Sequence, residues 1–214
     1  MIAQEDAYAL SVFVESHCGQ AGLYHPAHPA AERGGGIYTN CSLKISGGEI
    51  SGNATTGDGG GIWTRGYLRI IDGSTIDGNN AVKGGGVYLD NEDSAIMEIQ
   101  DSKVTQNKAT DGGGIYVNNS SKVMVCDSSI TGNTVTGNGG GVYNNGTFQI
   151  SGNTEINGNK KDSADNNVYL PTNKYIIITG KLTGSKIGVT TEATPSSSSY
   201  IRIATGSKNC ADPE

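Results

Sequence analysis

Gly59-Gly60-Gly61-Ile62-Trp63 decides the fold, because it is one of five copies. The others are Gly34-Gly35-Gly36-Ile37-Tyr38, Gly84-Gly85-Gly86-Val87-Tyr88, Gly112-Gly113-Gly114-Ile115-Tyr116 and Gly139-Gly140-Gly141-Val142-Tyr143. Their starts lie 25, 25, 28 and 27 residues apart. Self-similarity at such a period marks a repeat architecture.

Each copy is followed by a short turn and an apolar-x-apolar triplet: Leu43/Ile45, Leu68/Ile70, Met97/Ile99, Val123/Val125 and Phe148/Ile150. A third signal follows, aliphatic-x-x-Asn: Ile50…Asn53, Ile76…Asn79, Val104…Asn107, Ile130…Asn133 and Ile156…Asn159. The apolar period is two, not 3.6, so each repeat holds three short β segments separated by turns. The spacing predicts an all-β chain, a single-stranded parallel β-helix of about six to eight coils, each stacked on the last. Equivalent residues then lie roughly 4.8 Å apart, and every alignment column becomes a file in space.

Read by column, Ile37, Ile62, Val87, Ile115 and Val142 face inward. Their neighbours Tyr38, Trp63, Tyr88, Tyr116 and Tyr143 face outward, continued by Tyr169. The third glycine is expected to lie beneath each ring. The exposed rings are candidates for binding sugar faces; packing on one another is the competing and favoured expectation. Asn53, Asn79, Asn107, Asn133 and Asn159 are expected to form a structural ladder that satisfies turn amides. The column preceding the glycines reads Arg33, Asp58, Lys83, Asp111, Asn138, with charges alternating in sign. Asp58 and Asp111 with Lys83 between them form the one constellation compatible with lyase or hydrolase chemistry, which needs paired carboxyls or a base. A salt-bridge ladder is the favoured expectation there. No cofactor is called for, and a non-catalytic role is preferred to an enzymatic one.

With 33 glycines at fixed positions among 214 residues, the composition describes ordered repeats. The net charge of −6 and the absence of a basic cluster argue against nucleic acid. No stretch approaches the ~18–20 apolar residues of a membrane span. Cys18, Cys41, Cys126 and Cys210 occupy unrelated repeat positions and read as isolated thiols. His17, Cys18, His25 and His28 match no metal-site spacing, so no metal is assigned.

Along the chain, residues 1–33 form an atypical cap or non-repeat segment, in which Val12-Phe13-Val14 leans to strand and no signal peptide is read. Residues 34–160 are the five repeats. Residues 161–214 hold degenerate coils and a tail that reads as truncated, with Tyr175–Thr179, Ile187–Val189 and a last strand at Ile201–Ile203. The only expansions of the repeat lie at Asn91–Ser94 and Asn118–Ser121. Open strand edges at the ends are expected to favour end-to-end self-association.

The unit Gly34–Asn53 and its successors resemble the right-handed parallel β-helix repeats of bacterial surface and adhesin-like proteins. These belong to the broad pectin-lyase-like group, and the unit is also similar to the repeats of polymorphic outer-membrane proteins. The resemblance implies a right-handed coil and an extracellular or cell-surface structural or adhesive segment. It implies host or bacterial surface glycans or proteins as partners, with polysaccharide lyase, glycoside hydrolase and carbohydrate-binding module as alternatives.

Overall fold

The computed structural model describes residues 13–16, 33–90, 95–196 and 201–206. All regular structure among them is β, wound as a parallel solenoid of about six turns. Each coil contributes a strand to a seven-stranded face (Ile37–Thr39 and its successors) and to an eight-stranded broad face (Leu43–Ser46 and its successors). A third strand joins a six-stranded narrow face (Glu49–Ser51 and its successors).

Stacking is residue on residue. Ile37 pairs with Ile62, Ile62 with Val87, Val87 with Ile115, Ile115 with Val142, and Val142 with Val168. On the broad face Leu43, Leu68, Met97, Val123 and Phe148 run in register, and on the narrow face Ile50, Ile76, Val104, Ile130 and Ile156 do so. These files are the core, buried throughout. Alternation of side chains across short strands brings three apolar files to one axis, and parallel pairing makes that core continuous.

A fourth, short sheet was not foreseen. Lys108–Ala109, Thr134–Val135 and Lys160–Lys161 pair in parallel beyond the asparagine corner, and Ala164–Asp165 closes it antiparallel. Strands of only two residues are too short to leave a readable alternation.

The first glycine of each triplet turns the chain. Gly59 has φ +73°, and a Cβ there would lie 2.8 Å from the Trp63 Cβ. Only glycine satisfies both conditions. The third glycine has a different job from the one expected. A Cβ at Gly61 would meet Gly86 O at 2.6 Å and Asn79 Nδ2 at 3.0 Å, so this position faces the asparagine corner and not the ring. The strand begins only at Ile62, so alternation does not carry back across the bend.

At the N-terminal end, Phe13–Ser16 pairs antiparallel with Leu43–Ser46 and covers that edge of the broad face. At the other end Ile176–Leu182 continues the broad face, with its register shifted between Ile150 and Gly152. Lys186–Ile187 and Val189–Thr191 extend the narrow and seven-stranded faces. The last strand is Ala204–Gly206, on Ile176–Ile178, and Ile201–Ile203 is not a strand. The alternating Ile-Arg-Ile pattern sits in the preceding corner, where Ile203 is half exposed. The expansion at Asn118–Ser121 walls no cleft: Ser121 N–H donates to Asn118 O, and its hydroxyl donates to Asp90 O. The expectations for His17, Cys18, His25, His28, Asn91–Ser94, Cys210 and the rest of residues 1–33 lie outside the described residues.

Candidate functional site

The asparagine file is a one-way chain of amides. Asn79 donates to Asn107 Oδ1 from both its main-chain N and its Nδ2, each at 2.9 Å. Asn53 does the same to Asn79, Asn107 to Asn133, and Asn133 to Asn159. The other Nδ2 proton reaches back one coil: Asn79 to Ile50 O, Asn107 to Ile76 O, Asn133 to Val104 O and Asn159 to Ile130 O, at 2.8–3.0 Å. One side chain thus joins three successive coils. Its burial is complete at Asn79, Asn107, Asn133 and Asn159. Burying so many polar atoms is tolerable only because each finds a partner.

The chain has a sixth rung that column reading missed. Asn159 N and Nδ2 donate to Asn167 Oδ1 at 2.8 and 3.0 Å. Asn167 occupies the third-glycine column, only eight residues further on, instead of the aliphatic-x-x-Asn position. The signal was present, since Asn166-Asn167-Val168-Tyr169 aligns with Gly140-Gly141-Val142-Tyr143. Asn166 Oδ1 in turn accepts from Gly139 N and Gly140 N.

The candidate catalytic residues Asp58, Lys83 and Asp111 line one column with Arg33, linked by successive parallel bridges. Asp111 Oδ1 accepts the Asn138 main-chain N–H of the next coil at 2.7 Å. Asp58 is likewise bonded by the Lys83 main chain. Burial pushes the Asp58 carboxyl above its ordinary value, opposed by the Lys83 and Arg33 charges and by that amide bond. Direct ion pairs form elsewhere, as at Arg65–Asp90 (3.4 Å) and Arg69–Glu98 (3.1 Å). The cations of this column lie instead over rings: Arg33 5.3 Å from the Trp63 centroid, and Lys83 5.3 Å from that of Tyr116. The expected salt-bridge ladder is therefore replaced by amide capping and cation–π contacts.

The six rings form one stack. Successive centroids from Tyr38 through Trp63, Tyr88, Tyr116 and Tyr143 to Tyr169 are 4.5, 6.5, 5.4, 4.8 and 5.1 Å apart. All but the last pair are stacked within 17° of parallel. They point away from the aliphatic core, yet Trp63, Tyr88, Tyr116 and Tyr169 are buried: the rings pack on one another, as the favoured expectation had it, and the alternative of an exposed aromatic ladder is corrected. Neighbouring rings cover the faces, the first-glycine turns flank them, and Arg65 lies 5.0 Å from the Trp63 centroid. Burial pushes the Tyr88 phenol up to about 12, and it raises Tyr116, Tyr143 and Tyr169 too. The Tyr88 hydroxyl accepts a hydrogen bond from Asn118 Nδ2 at 2.9 Å.

Among the described residues no cluster of His, Cys, Asp or Glu is arranged to hold a metal. Cys126 is a free thiol, but Cys41 is disulfide-bonded, which corrects the reading of four isolated thiols. Linear spacing cannot show which cysteines a solenoid end brings together.

Residues 27–160 match the family described as right handed beta helix region, well over half of the chain, which therefore belongs to that family. No curated protein and no solved structure matches it.

Proposed function

We propose that this chain is a non-catalytic structural or adhesive segment, a rigid right-handed β-helix of an extracellular bacterial surface protein. The carrying observation is where its polar and aromatic side chains are spent. Asp111 and Asp58 bond the main chain of the following coil, and the ring faces of the stack are occupied by one another. Groups of the kinds that act on or grip a sugar are committed to holding coil to coil. The fold is consistent with the pectin-lyase-like superfamily, whose scaffold hosts several functions, so the site and not the fold carries the reading.

The partners this reading calls for are surface glycans or proteins. Incubation with a panel of polyuronides and neutral glycans tests it. The expected result is neither unsaturated nor reducing-end product. Product formation would establish a lyase or hydrolase, and retention without turnover at the aromatic face would establish a sugar-binding module.

A further inference from the structure

The repeats leave little open surface between coils, and the chain departs from them at its last coils. There Leu170–Tyr175 meets Thr191, Ala193, Ile201 and Arg202 around a half-open cavity of about 510 Å³. That size falls in the range of small-molecule sites. The floor is apolar, from Leu170, Pro171 and Ile201, with Tyr175 at its side.

Two observations set the chemistry of an occupant. Among the described residues the charged ones in the lining are Lys174 and Arg202, with no acid, in a chain of net charge −6. Arg202 lies 5.6 Å from the Tyr175 ring centroid, and neither cation is ion-paired among the described residues. The nearest acid along the chain, Glu192, lies outside the lining and is held by the lining residue Thr172. Its Oε2 accepts from Thr172 N at 2.7 Å and Thr172 Oγ1 at 2.6 Å, and these bonds hold its carboxyl below the usual range.

The walls are also fixed in shape. Lys174 N–H donates to Pro171 O at 3.0 Å, closing a turn in which Asn173 takes φ +65°. Asparagine tolerates that left-handed conformation where most residues do not. The Thr172–Glu192 bonds then tie this turn to Glu192, so Lys174 stands on a braced segment.

We propose that this cavity binds a small organic anion, one carboxylate carried on a compact apolar body. The carboxylate meets Lys174 and Arg202, and the body lies on Leu170, Pro171 and Ile201. A free organic acid and the carboxy-terminal residue of a peptide share that chemistry. The scaffold reading does not depend on this site and survives its failure.

The test is a titration of the full chain, followed by NMR, with hexanoate, N-acetyl-alanyl-leucine and the corresponding leucinamide. Saturable shifts centred on Tyr175 and Ile201 are expected with at least one of the acids. Binding of hexanoate would mark free acids as the source, and binding of the peptide acid alone would mark a carboxy terminus. Lys174→Gln and Arg202→Gln should each weaken binding about tenfold, the loss expected for one charge-assisted contact. Both side chains lie outside the core, so the melting midpoint should stay in place. Equal binding of the amide, undiminished binding by the double variant, or no saturation by about 10 mM would overturn the proposal.

Discussion

Replacing Asn107 by alanine should be clearly more costly than replacing Asn53, although both occupy the same column. Asn107 Oδ1 accepts from Asn79 N and Asn79 Nδ2, and its own Nδ2 donates to Ile76 O and Asn133 Oδ1. Truncation leaves the buried Asn79 main-chain N–H without an acceptor, at about 1–3 kcal/mol, and removes further amide bonds at about 1 kcal/mol each. The expected loss is about 3–5 kcal/mol. Asn53 stands at the first rung and is half-buried. Its Nδ2 donates to Ser51 O and Asn79 Oδ1, its main-chain N–H keeps Asn79 Oδ1 after truncation, and its own oxygen serves no donor among the described residues. Asn53→Ala removes these two bonds at a half-solvated site and should therefore cost about 1–2 kcal/mol. Urea unfolding reads both variants through the single tryptophan, Trp63, which is buried in the ring stack. Equal losses in the two variants would refute the reasoning, because they would mean that the amides contribute locally and not through the coils they join.

Asn144→Thr should stabilise the chain by about 1–2 kcal/mol. Asn144 is fully buried with neither side-chain polar atom bonded, whereas Thr64 and Thr39 in its column accept from the amide two residues on, Gly66 N at 3.1 Å and Cys41 N at 3.0 Å. A melting midpoint at or below that of the parent would show that threonine does not make this bond at Gly146. In alkali, the raised phenols of Tyr88, Tyr116, Tyr143 and Tyr169 favour the protonated form in the folded state. Stability should hold below pH 10 and fall as the pH rises from 10.0 toward the Tyr88 value of about 12. Phenolate absorbance should then rise in two stages, the later one coinciding with unfolding, and a single early stage would contradict the burial of the stack.

The sequence made the columns readable because the glycine and aliphatic signals recur in every coil and each coil registers on the next. What lay between columns was harder to read. Strand alternation places Trp63 outward but is silent on burial, which here comes from rings 4.5–6.5 Å apart and from cations laid across them. The role of the third glycine was misread because Gly61 precedes the strand, where alternation has no force. The alternating signs of Arg33, Asp58, Lys83 and Asp111 suggested ion pairs, but rings and main-chain amides lay within reach as better-packed partners. The C-terminal cavity was invisible because its residues come from two stretches outside the repeat, and no periodicity predicts how such stretches meet.

Asn167 also bears on how far the amide file can run. Where earlier coils insert the whole glycine-rich corner, one residue, Gly188, joins Ile187 to Val189. A Cβ at Gly188 would lie only 2.3 Å from Asn167 Nδ2, so Gly188 stands against Asn167 as Gly61 stands against Asn79 in an ordinary coil. The amide file is thereby closed by a residue from the wrong side of the coil. A change from glycine to asparagine at one column thus closes the amide file, while strands go on stacking beyond it as Ile176–Leu182, Lys186–Ile187 and Val189–Thr191. Moving the Asn166-Asn167 pair to an earlier coil, with its corner shortened to match, would close the amide file sooner and leave the later coils to stack without it.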